Sequence, residues 1–100
     1  MSKKRTKKNE PVFSFEINDD IFVDVYDWGD DNYTVKITIC DCFVVFGRVV
    51  FYKEKKQYRA FTSMPSYKNK DGEYISQCYF FDSEISKEIN TQVENFVFDR

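Results

Sequence analysis

The chain has 100 residues, 42% hydrophobic and 19% aromatic, with no histidine and with 15 bases against 17 acids for a net charge of -2. That length holds one core and not two, the apolar content excludes a disordered chain, and no uncharged apolar run nears the ~20 residues that cross a bilayer. The expectation is one globular domain over residues 11–100 behind a basic flexible tail at 1–10, cytoplasmic because "MSKKRTKKNE" lacks the apolar stretch of a secretory signal.

In chain order, "VFSFEI" alternates Phe13, Phe15 and Ile17 with Val12, Ser14 and Glu16, and "IFVDVYDW" alternates Ile21, Val23 and Val25 with a more polar set. Both periods are those of strands. "DWGDDN" is dense in turn formers, with Gly29 free to take positive φ. "YTVKITI" is a half-buried strand, Tyr33, Val35, Ile37 and Ile39 inward and Thr34, Lys36 and Thr38 outward, and "CDC" bends the chain after it. "FVVFGRVVFYK" is apolar on both faces except at Gly47 and Arg48, the pattern of a central strand, and Gly47 marks a bulge or a close backbone approach. "EKKQ" is a polar hairpin tip leading into "YRAFTSM", and "EYISQCYFF" predicts one more strand. The period then changes, with Ile85, Ile89, Val93 and Phe96 or Val97 at helical spacing and Asp82 or Ser83 as N-cap. The predicted fold is α+β, an antiparallel sheet of five to six strands with one C-terminal helix.

Charge is distributed unevenly along this plan. Residues 1 to 8 hold Lys3, Lys4, Arg5, Lys7 and Lys8; Glu10, Glu16, Asp19, Asp20, Asp24, Asp27, Asp30 and Asp31 then follow with no base among them. From Phe43 to Lys70 the bases Arg48, Lys53, Lys55, Lys56, Arg59, Lys68 and Lys70 face Glu54 alone, a net +6. One-signed charge on a folded surface steers partners of the other sign.

In "MPSYKNKDGEY", Pro65 lacks a backbone N–H and so stops the ladder, and Asp71-Gly72 permits a tight reversal, which makes this loop exposed. Pairing of neighbouring strand ends would set its lysines beside "KEKKQ" as a basic rim. With "ITICDCFVVFGRVVFY" and "FFDSEISKEINTQV", this loop makes the chain resemble the SpoVG (septation protein G) family over roughly residues 21 to 97, through Met64-Pro65-Ser66 and Asp71-Gly72-Glu73. The resemblance implies a small cytosolic protein of bacteria or phages, a homodimeric nucleic-acid-binding regulator with a sheet-plus-helix fold. The chain departs from that pattern at Tyr67, where a basic residue is usual, at Tyr79-Phe80, in a longer hairpin and in an extra strand at Val12 to Asp20.

The bases suit that role independently, because cations that neutralise phosphates release condensed counterions and make binding salt-dependent. The expected contacts are Arg48, Lys53, Lys55, Lys56, Arg59, Lys68 and Lys70, with Tyr52, Tyr58 and Tyr67 as stacking candidates on unpaired bases. The bland alternatives are a lysine-guarded strand edge and a packed aromatic core. Without histidine the commonest general base is missing, and no enzyme is expected. Cys40, Cys42 and Cys78 lack C-x-x-C spacing and read as reduced, packed thiols; Asp27 to Thr38 fails the EF-hand pattern, so no metal or cofactor is expected.

The acidic run carries the competing reading. Asp19, Asp20, Asp24, Asp27, Asp30 and Asp31, strung along a hairpin, would mimic a phosphate backbone and bind a basic host protein, as a phage-type inhibitor of host defence does; the bland reading is a solvated face. A single helix covers one face of a sheet, yet Phe43 to Tyr52 is apolar on both, so a homodimer or the added N-terminal strands must meet the second.

Overall fold

The computed structural model describes residues 10–99. The expected basic tail therefore falls almost wholly outside the described residues. Five strands form one antiparallel meander in the order β1 (Phe13–Asn18), β2 (Ile21–Asp27), β3 (Tyr33–Ile39), β4 (Phe43–Glu54) and β5 (Gln57–Ser63). A second, two-stranded sheet pairs β6 (Ser66–Lys68) with β7 (Tyr74–Ser76), and α1 (Ser83–Phe98) closes the chain. The α+β expectation holds, with five strands in the main sheet. "EYISQCYFF" contributes only the three residues of β7 as strand, because its partner β6 is itself three residues long and the chain turns away to reach the helix.

The core follows from the period-2 alternation. Val23, Val25, Val35 and Ile37 are fully buried on one face of the sheet, and Ile89 and Val93 press on them from the helix. Each such side chain contributes about 1.5–3 kcal/mol by leaving water. Asp82 caps the helix, its carboxylate accepting the Glu84 N–H at 3.0 Å. The helix is held by both edge strands. Phe96 stacks on Phe13 of β1 with ring centroids 4.6 Å apart, while Asn90 and Glu94 accept the backbone N–H groups of Thr62 and Ala60 on β5.

β4 is an interior strand between β3 and β5, next to an edge and not at the centre. Gly47 in it is a close-approach site: a Cβ there would lie 2.8 Å from the Ser63 carbonyl oxygen, where β5 leaves the sheet. The N-terminal strand β1 extends the sheet beside β2 and does not cover its second face. That outer face exposes Phe22, Val44, Phe46, Tyr52 and Phe61.

The radius of gyration of 14.5 Å exceeds the ~13 Å of a compact 100-residue domain. Two projections explain it. The β4–β5 hairpin runs on past the pairing with β3, which ends at Thr34–Arg48, and the β6–β7 hairpin forms an exposed arm.

Candidate functional site

Strand alternation in β4 sends Val45 and Val49 to the core and Val44, Phe46, Arg48, Val50 and Tyr52 to the outer face. Cross-strand register adds the neighbours. Lys36 lies opposite Phe46, Thr34 opposite Arg48 and Phe61 opposite Val50. Tyr52 and Phe61 meet edge to face, with ring centroids 5.8 Å apart at 65°. Further across, Tyr26 and Trp28 stack at 6.1 Å and 11°, and the indole Nε1–H donates to Thr34 Oγ1 at 2.9 Å.

The same strand carries the lysine tip. Lys55 and Lys56 fill the two central positions of the β4–β5 turn with φ of 49° and 68°, the left-handed pair that a two-residue hairpin loop of this twist requires. Both are exposed, and the Lys53 ammonium sits 5.5 Å from the centre of the Tyr58 ring. Lysine stands here where asparagine and glycine are the unstrained choices.

The seven expected bases do not form one rim. Lys53, Lys55 and Lys56 flank the start of β5, whereas Lys68 and Lys70 lie on the arm that follows its end. The seven residues of β5 separate the two groups by about 20 Å. On the arm, Asn69 Oδ1 accepts the N–H groups of Asp71 and Glu73, Gly72 takes a φ of 84°, and Lys68 lies over the Tyr74 ring. Pro65 ends β5 as expected, its carbonyl accepting the Gln77 N–H at 2.7 Å.

Arg59 is not a free cation. Its Nε donates to Glu94 Oε2 at 2.8 Å and its Nη1 lies 3.4 Å from Glu54 Oε1. The hydrogen bond from Arg59, helped by the Ala60 N–H, holds the Glu94 carboxyl below the usual carboxylate range against the opposing effect of burial. The same pair raises the Arg59 guanidinium further. This residue ties the helix to β5. Arg48, by contrast, is exposed on the outer face.

The acidic set is also divided. Asp19 and Asp20 lie on the β1–β2 turn, while Asp27 ends β2 and Asp30 and Asp31 occupy the left-handed turn after it. The length of β2 separates these groups. Asp24 lies between them on the outer face, opposite Lys36, accepting the Ser14 hydroxyl at 2.6 Å. Cys40 and Cys42 are exposed on the β3–β4 turn and Cys78 is half-buried, all three as free thiols.

Tyr26, Trp28, Lys36, Phe46 and Phe61 join the site without forming a motif in the sequence. The outward side of "YTVKITI" and the two-sided apolar character of "FVVFGRVVFYK" were the available signals. What joins them is cross-strand register, which alternation alone leaves open.

No protein-family model matches this sequence, and neither a curated protein nor a solved structure matches the chain. Among the described residues, no helix is long and apolar enough to cross a membrane.

Proposed function

We propose that the protein is a small cytoplasmic nucleic-acid-binding regulator, as its resemblance to the SpoVG family implies, and that it binds a single strand along β4. One observation carries this reading: the outer face of β4 presents Phe46, Arg48, Val50 and Tyr52 in turn, a cation between two rings, and the strand leads to the exposed Lys53, Lys55 and Lys56 at the hairpin tip. Aromatic rings on a sheet stack on unpaired bases while flanking cations follow the backbone. Duplex DNA hides its base faces, so the exposed rings favour a single strand over a duplex. Lys68 and Lys70 serve as a second, separate contact, and Arg59 has a structural role.

Binding is the function and no catalytic step is assigned. A homodimer is part of the proposal, supported by the arm, on which Tyr67, Tyr74 and Ile75 are exposed, and by the segment that follows it, where Tyr79 is exposed and Phe81 is 99% exposed. Apolar groups in such a run suit burial against a second copy. The acidic residues, split between the two ends of β2, give the mimicry reading no comparable support.

The reading is tested by titrating labelled single-stranded and duplex oligonucleotides at low and moderate salt. Tighter binding of the single strand, with a log-log salt slope of about -4 for Arg48, Lys53, Lys55, Lys56, Lys68 and Lys70 at ~0.7 each, supports it. Equal, weak binding of both forms with no salt dependence sinks it.

A further inference from the structure

The outer face holds a slot of about 220 Å³ lined by Tyr26, Trp28, Thr34, Lys36 and Phe46. We infer that this slot receives a single nucleobase of the bound strand, an inference that rests on the nucleic-acid reading above and names its recognition site.

Three features of the slot point to that ligand. Its volume lies below the ~300–1,000 Å³ of sites for drug-sized molecules, which fits one planar ring system and leaves sugar and phosphate outside. Its walls are rings held in place, since the Trp28 indole is fixed by its bond to Thr34 and by its stack on Tyr26. A ring fixed before binding loses little freedom when a base lies on it.

Its charge selects against the obvious rival, a cation in an aromatic cage. Lys36 is in the wall, and Arg48 lies opposite Thr34 on the adjoining strand. Asp24 is the one carboxylate facing Lys36 across the strands, and Ser14 already occupies its Oδ1. Of the five lining residues only Lys36 is charged, and its ammonium suits a phosphate beside the base. A purely apolar partner side chain would leave Lys36 and Arg48 without purpose.

Trp28 is the sole tryptophan, so its emission reports on the slot directly. The test titrates the protein with a 12-nucleotide oligo(dT) and with an abasic 12-mer of equal charge, following tryptophan emission and, separately, the anisotropy of a label on the strand. The expected result is saturable quenching by oligo(dT) that tracks its anisotropy. The abasic strand should bind about tenfold or more weakly, from the loss of base stacking, and leave emission unchanged. Phe46→Ala, at a side chain 57% exposed and outside the core, should weaken oligo(dT) about tenfold at an unaltered salt slope. Lys36→Gln should reduce the slope by about 0.7.

Strong anisotropy binding with unmoved Trp28 emission and an inert Phe46→Ala overturns the slot and leaves the nucleic-acid reading standing. Absence of binding by both signals overturns both. A concentration-dependent blue shift of Trp28 without any nucleic acid assigns the slot to a second copy and also overturns the inference.

Discussion

The Glu94 carboxylate accepts the backbone N–H of Ala60 at 3.0 Å, so a helix side chain closes the outer edge of β5. Asn90, one turn earlier, does the same for Thr62 at 2.9 Å. Outward N–H groups on an edge strand are templates for unwanted pairing, and α1 occupies two of them. Asn90→Ala should cost about 1–3 kcal/mol by leaving the Thr62 N–H without its partner, measured by urea unfolding. Glu94→Ala should cost at least as much and, with Asn90→Ala, promote aggregation.

Glu94 also makes stability depend on pH in a defined direction. Its folded pKa lies below the ordinary value of 4.5, so its contribution is fully present above the unfolded pKa and is lost as pH falls through the folded one. Glu94→Gln should therefore be less stable than wild type from neutral pH down to about 5, with the gap closing in more acid solution. Thermal melts across that range check it; a gap unchanged at pH 3 contradicts it.

Gly47 is required by contact. A Cβ at that position would meet the Ser63 carbonyl oxygen at 2.8 Å and Thr62 Cγ2 at 3.0 Å, so either β5 or the departing chain must shift. Gly47→Ala should destabilise by about 1–3 kcal/mol, read as a lower denaturation midpoint.

The lysine turn trades stability for charge. Replacing Lys55 and Lys56 with Asn and Gly removes two left-handed lysines and should stabilise by about 0.5–1 kcal/mol. The same variant should flatten the salt slope of single-strand binding by about 1.4. Opposite movements of melting temperature and affinity identify a functional role for these side chains; loss of both identifies a structural one.

The arm is expected to hold the dimer. Ile75→Asp with Phe81→Asp should convert a 24 kDa pair, twice the 12.0 kDa chain, into monomer by light scattering while leaving the far-UV spectrum unchanged.

Most of the fold was legible because one face of the sheet is buried. Tyr33, Val35 and Ile37 alternate with polar neighbours, and Ile85, Ile89 and Val93 switch the period to that of a helix. The site was less legible, for reasons of distance. Arg59 and Glu94 are 35 residues apart in the chain, so nothing local reveals that this cation is already engaged. The separation of Lys55 from Lys68 depends on chain direction: β5 carries the chain away from the tip before Pro65 ends it. Trp28 sat in an evident turn, and only the pairing of Tyr26 with Thr34 and of Lys36 with Phe46 brings its indole to a site. The short β6–β7 pair was foreshadowed by Asp71-Gly72 but has too few residues to show a period.

Nucleic-acid binding by β4 and its tip is the proposal on which the other roles depend. Its most direct test is fluorescence anisotropy of a labelled single strand with wild type and with a variant combining Lys53→Glu, Lys55→Glu and Lys56→Glu, all exposed positions. Wild type should bind with marked salt sensitivity and the variant should not bind, at equal thermal stability. Undiminished binding by the variant, or no binding by wild type even at low salt, would contradict it.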